Sequence, residues 1–187
     1  MIRRSSAVVA VAAAALTVLA AVLAAPGANG RVLDNPRPLP EFTHTAERDW
    51  LASMPLTRAD LAGSVTLIDV WAFECWNCYR SFPWLKSLEA KFADRDFRVI
   101  GVHAPEFEHE RDRGNVAAKM EEFGLEHPVM IDNDFSYWRA LGNRYWPTFY
   151  IVDRDTNVRG VFVGETHAGD RRAGAIEALV EQLLEGA

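Results

Sequence analysis

The chain holds two cysteines, Cys75 and Cys78, separated by Trp76 and Asn77. A disulfide between them closes so small a loop that it hardly restrains an unfolded chain, because the entropic benefit of a cross-link grows with loop length. A bond that staples little is suited to being made and broken. Residues 65–70 (V-T-L-I-D-V) are a short β-branched run, which predicts a buried strand interrupted by one acid, Asp69. Beyond Cys78, Phe82, Leu85, Leu88 and Phe92 recur at helical spacing, which predicts a helix beginning at or just after Cys75. The first amides of a helix have no intrahelical partner and carry partial positive charge. A thiol placed there is stabilised as thiolate, the species that attacks disulfides. Cys78 lies one turn along and reaches back. The spacing therefore points to Cys75 as nucleophile and Cys78 as the resolving thiol.

Metal binding is the competing use of such a pair. A closed zinc site takes four ligands, yet no second C-x-x-C exists, and His44, His103, His109, His127 and His167 show no ligand spacing. A set of Cys75, Cys78 and His103 is the one conceivable exception. The redox reading is preferred, with no metal and no cofactor beyond the dithiol.

The remaining pattern supplies the frame. Residues 31–45 hold Pro36, Pro38 and Pro40 and predict an extended lead-in. Pro83 sits inside the helical pattern after Cys78 and predicts a kink rather than an end. Residues 97–102 predict a second strand, 108–123 a charged helix ended by Gly124, 128–131 a short strand, and 135–141 a short aromatic helix before Gly142. Within that charged helix, residues 108–113 read as a solvated charged face. Residues 148–152 and 158–163 read as a hairpin. A last helix follows, with Asp170 as N-cap and Ile176, Leu179, Val180 and Leu183 as its inner face. This order implies an α/β domain, a mixed sheet covered by helices on both faces.

Residues 1–30 differ from the rest. Arg3 and Arg4 precede an uncharged run of Ala, Val and Leu, then small residues around Ala28, Asn29 and Gly30. This is the pattern of a secretory signal, and the run is also close to the length of a membrane anchor. The expected division is a signal or anchor at 1–30 and one domain at 31–187, placed outside the cytoplasm in periplasm or cell envelope, free or tethered by its N-terminus. Removal of 1–30 takes the net charge from −6 to −8, which argues against a nucleic-acid partner.

Residues 67–78 (L-I-D-V-W-A-F-E-C-W-N-C) resemble the active-site strand and turn of thioredoxins. Residues 50–56 (W-L-A-S-M-P-L), 100–107 (I-G-V-H-A-P-E-F), 129–134 (V-M-I-D-N-D) and 144–148 (R-Y-W-P-T) extend the likeness in order over about residues 40–185. As a whole the chain resembles the exported TlpA-like branch of thioredoxin-fold oxidoreductases, which includes the soluble domain of DipZ-type membrane reductases. The resemblance implies a thioredoxin fold with a helix–strand insertion, here residues 106–131. It also implies that Pro147 is the cis-proline facing the dithiol, that Pro83 is the proline of the active-site helix, and that Asp69 is the buried acid relaying the Cys78 proton. Without it, Pro147 reads as a turn proline opening a strand, and Asp69 as an acid with a local hydrogen-bond partner.

Glu74 departs from the thioredoxin pattern, which has Trp at that position. Its charge opposes the helix-end effect on Cys75 and favours a reductant over a strong oxidant, unless it is simply exposed. Trp76 is expected at the rim as a contact for partner proteins, and Trp71 and Trp146 as framing the site or packing in the core. His103 reads as structural. The implied role is thiol–disulfide exchange with protein partners, such as apocytochrome thiols or other oxidised exported proteins, fed by a membrane electron donor. A peroxide-reducing redoxin and a non-catalytic binding or copper-carrier module are the alternatives.

Overall fold

Strand β3 (Val65–Trp71) is buried at every position, Asp69 included, as its largely apolar, β-branched run predicts. It lies in the middle of a seven-stranded mixed sheet. The computed structural model describes residues 30–186. The other strands are β1 (Gly30–Pro38), β2 (Trp50–Leu51), β4 (Phe97–His103), β5 (Val129–Ile131), β6 (Thr148–Val152) and β7 (Asn157–Val163). Their order in the sheet is β1-β7-β6-β3-β4-β5-β2. β3 runs parallel to β4 and antiparallel to β6, and β4 runs parallel to β5. A parallel neighbour requires a crossover. Helix α1 (Trp76–Lys91) supplies it between β3 and β4, and α2 (Arg113–Phe123) between β4 and β5.

Side chains of a strand alternate between faces, and two cores result. Leu67 and Trp71 of β3 pack with Phe82, Leu85 and Leu88 of α1, Val116 of α2, and Ile176 and Val180 of α4 (Arg171–Glu185). Ile68 and Val70 face the other way, toward Phe42, Trp50, and Tyr137 of α3 (Ser136–Leu141). Asp69 falls on the α1 side by the same alternation. The expected α/β fold, with helices on both faces and an insertion carrying α2 and β5, is the one observed.

The structure revises several expectations. The lead-in forms a true edge strand: β1 pairs with β7 from Gly30 opposite Phe162 to Pro38 opposite Asn157, with a register break between Val32 and Arg37. Prolines are tolerated there because an edge strand leaves half its amides unpaired. The helix expected over 108–123 is two pieces, a 3₁₀ turn (Glu108–Arg111) and then α2, because Asp112 stops the first and caps the second through the Asn115 amide at 2.9 Å. The two-residue β2 was not foreseen, being too short to show a period. In α4, Leu184 takes the buried place and Leu183 only half of one. α1 runs on through Pro83, and Asp170 and Gly124 cap as expected. The leader expected at 1–30 lies outside the described residues, apart from Gly30 in β1. No helix among the described residues is long and apolar enough to cross a membrane.

Asp132, fully buried after β5, ties the segment before β2 to the start of α3. Its oxygens accept from the amides of Tyr137 at 3.1 Å and Trp138 at 2.7 Å, and His44 Nε2 lies 3.0 Å away. Hydrogen bonds to a charged group contribute about 1.5–3 kcal/mol each. Asp132→Ala is expected to lower the unfolding free energy by about 3 kcal/mol, measured by urea denaturation.

Candidate active site

The end of β3 delivers the chain through Ala72, Phe73 and Glu74 to Cys75, which is the N-cap of α1. The Cys78 amide donates to Cys75 Sγ at 3.3 Å. The helix start thus directs a donor at this sulfur, as the spacing implied. The two cysteines form a disulfide with their Cα atoms 5.2 Å apart. Cys75 keeps 6% of its surface exposed and Cys78 none. An incoming sulfur therefore meets Cys75, and Cys78 is screened behind it.

The turn before Cys75 is held from the insertion. Glu110 is fully buried, and one oxygen accepts from the Glu74 amide at 2.8 Å. The other accepts from the amides of Glu106 and of Phe107, the latter at 2.9 Å. Three backbone donors thus converge on one carboxylate, with no basic partner among the described residues. Beside it, His109 Nε2 lies 2.9 Å from the Glu74 carboxylate, and its ring packs against Phe73 and Phe107. The solvated face expected at 108–113 is therefore wrong at Glu110, the residue that docks the insertion onto the active-site turn. Its only signal in sequence is a Glu three residues after Phe107, the spacing at which a side chain reaches back to an N-cap amide. Exposed Glu74 is not an isolated charge, since His109 offsets it whenever that imidazole carries a proton.

Asp69 is buried, and neither carboxylate oxygen has a hydrogen-bond partner among the described residues. The local partner considered from sequence is absent there. Burial, reinforced by the negative charge of Glu89, pushes its carboxyl well above the usual range. His103, also buried, lies edge-on to Trp71 and stacks on Phe73. Desolvation pulls its pKa down to about 3, so the ring stays neutral as a packing element.

The aromatic residues divide. Trp76 is 62% exposed at the start of α1, edge-on to Tyr79. Trp146 is half-buried, donates Nε1 to the Ala104 carbonyl at 3.0 Å and packs on Trp138 at 4.3 Å. The Trp146–Pro147 bond is cis, as the resemblance implied. Trp71 is a correction. It is fully buried against Phe82, because its place on β3 turns it toward α1, and it offers nothing to a substrate. A cleft of about 490 Å³ lined by Phe73, Glu74, Tyr79, Lys119, Glu122 and Phe123 opens beside the turn. Elsewhere, folding brings His44 together with Asp132 and Asp134, with ligand-type atoms within 4.8 Å. The Asp132 oxygens are already occupied by the amides of α3.

With this geometry in place, comparison with known proteins is informative. The model of the Redoxin family matches residues 37–179. The DipZ protein of Mycobacterium tuberculosis is 38% identical over 141 residues, covering 74% of this chain and 20% of DipZ. The thiol-disulfide oxidoreductase YkuV of Bacillus subtilis is 31% identical over 124 residues, 66% of this chain and 81% of YkuV. A thioredoxin-like protein solved in its oxidised form superposes with a TM-score of 0.68 at 27% identity, over 81% of this chain and 97% of that one. The chain spans only 12–20% of the length of the first curated relatives it matches.

Glu110→Gln exchanges one acceptor oxygen for an amino group facing a backbone donor. It is expected to cost about 2 kcal/mol of stability and to speed hydrogen exchange at the Glu74 amide, read by denaturant unfolding and NMR. His103 makes a second expectation. Its depressed value means that stability is present above the ordinary histidine value of 6.5 and is lost as pH falls through about 3. His103→Gln is expected to flatten that acid limb in melts taken from pH 7 to 3.

Proposed function

The chain belongs to the redoxin family and is a thiol–disulfide oxidoreductase of thioredoxin fold, and from that premise we propose that it is an exported reductase of protein disulfides. The observation that carries this reading is the asymmetric pair at the helix start, Cys75 accessible and Cys78 enclosed. In the reducing direction the Cys75 thiolate attacks one sulfur of the substrate disulfide. That bond breaks, the first substrate thiolate leaves, and a mixed disulfide forms at Cys75. Cys78 gives its proton to ionised Asp69, and its thiolate attacks Cys75 Sγ. The second substrate thiolate leaves and is protonated by solvent. Two electrons have passed to the substrate, and Cys75 and Cys78 are joined. Asp69 alternates with Leu67 and Trp71 onto the α1 face of β3, and burial raises its pKa, which favours its taking up the Cys78 proton.

Several parts of the reading rest on sequence. The charge of Glu74 beside Cys75 favours a reductant, with the His109 contact moderating it. Trp76 and Trp146 serve as contacts for the substrate chain, and the Pro147 segment presents backbone to it. Residues 1–30 supply export or a tether. Oxidised exported proteins, apocytochromes among them, are the substrates, and a membrane thiol reductant restores the dithiol.

The test is the reduction potential, by equilibration against glutathione or dithiothreitol with tryptophan fluorescence as readout. A value near the ~−270 mV of thioredoxin supports a reductase, and one near the ~−120 mV of DsbA reverses the direction. Thiols that never interconvert reversibly would defeat the enzyme reading. Asp69→Asn is expected to slow single-turnover reduction by about a hundredfold at neutral pH. The same variant should be more stable than the parent. The raised Asp69 pKa contributes stability that is present at acid pH and lost as pH rises toward the folded value. The variant's advantage therefore grows by about 1.4 kcal/mol per pH unit across that window.

A further inference from the structure

Asp69 takes up a proton in a place sealed from solvent, so the proton needs a way out. In the parallel ladder Asp69 stands opposite Gly101 of β4, and Gly101 stands opposite Val129 of β5. A Cβ at Gly101 would lie 2.9 Å from Trp71 Nε1 and 3.5 Å from His127 Nε2. It would also meet Val129 Cγ2 at 2.8 Å, so no side chain fits, and the bare backbone of Gly101 lets Trp71 Nε1 and His127 Nε2 close in on the α1 face, next to Asp69. Both Asp69 oxygens, Trp71 Nε1 and His127 Nε2 are buried without a hydrogen-bond partner among the described residues. Unpartnered buried polar atoms are rare enough that each needs a reason, and here they gather around one residue. His127 is buried, but its other nitrogen, Nδ1, lies 3.1 Å from Glu89 Oε1. The Glu89 side chain is 30% exposed and borders a surface cleft with Lys86, Ala90 and Gly124.

We infer that His127 and Glu89 form the route by which Asp69 exchanges its proton with solvent, His127 lying over Gly101 beside Asp69 with Nε2 and meeting Glu89 at the surface with Nδ1. The inference rests on the relay role proposed for Asp69. An imidazole suits the task because it accepts a proton on one nitrogen while releasing one from the other. The Trp71 indole only donates and passes no proton along the route. The titratable groups around Asp69 are Cys78 and Glu89 of α1, His127 before β5, and His103 on the next row of the same face. Burial keeps His103 neutral, and neither of its ring nitrogens has a hydrogen-bond partner among the described residues, so it offers no exit. The field of Glu89 reaches Asp69, which places the outer end of the route within electrostatic range of the inner one. His127 and Glu89 are positioning residues here, acting on the sulfurs only through Asp69.

The reduced protein reacting with dithiobis-nitrobenzoate under stopped flow separates the steps. The first nitrothiobenzoate leaves when Cys75 attacks, and the second when Cys78 resolves the mixed disulfide. His127→Phe and Glu89→Gln are expected to leave the first phase unchanged and to slow the second about tenfold at neutral pH. The solvent deuterium isotope effect on the second phase should rise, and added imidazole should restore that phase in His127→Ala. Glu89 is partly exposed, so Glu89→Gln tests the route without disturbing the core. An unchanged second phase in both variants, with Asp69→Asn still slow, overturns the route and leaves the relay standing. A second phase unchanged in Asp69→Asn as well overturns the relay and the route with it. Slowing without an isotope effect or imidazole rescue marks the pair as structural and also overturns the inference.

Discussion

Strand β3 is enclosed on both faces, and its end determines where α1 begins. Its seven buried positions leave no latitude for the register with β4 and β6, since a slip of one residue would turn Asp69 toward the opposite core. Cys75 is thereby held at the N-cap, where the helix amides are open. The short connection from Trp71 to Cys75 transmits that rigidity to the sulfur. A helix terminus is a general electrostatic device. Here it works because a strand that cannot move sets its position.

Around that turn the protein keeps charge and polarity in places where apolar packing alone would be more stable. Glu110 is buried without a cation and is made tolerable by three backbone donors. It couples the insertion to the turn, so α2 and the 3₁₀ segment belong to the site in mechanical terms. Asp69 is buried without any donor, and its cost is of a different kind, because it is met by staying protonated more readily than an exposed acid. One carboxylate stabilises geometry. The other is held by burial in an environment that favours its protonated form.

The arrangement also separates reactivity from recognition. The sulfurs and Asp69 belong to elements anchored in the sheet, whereas Trp76 and the cleft beside Glu74 lie on the surface. On the proposed reading, partner choice can change through these surface residues without moving the reacting atoms. The His109–Glu74 contact sits between the two zones and links the charge next to Cys75 to the insertion.

Much of this was legible in the residues themselves. The β-branched run at 65–70, the helical spacing from Phe82 to Phe92 and the C-x-x-C between them identified strand, helix and dithiol, because each signal is local and one period long. Asp69 stood out as an acid in an apolar strand. The edge pairing of β1 was not visible, since prolines mask a strand whose only partner lies more than a hundred residues away in β7. Glu110 looked like one charge among many, and Trp71 could be read as framing the site or as packing in the core. Burial of a single side chain is decided by what packs over it, and neither insertion nor helix declares that in its own period. The sequence by itself determined the chemistry, a dithiol at a helix start above a buried acid, because that depends on neighbours a few residues apart. Only the tertiary structure decided how the turn is held and which groups surround the acid. Glu110, His109, His127 and Gly101 reach the site from other elements, and contacts between elements arise only when the sheet assembles.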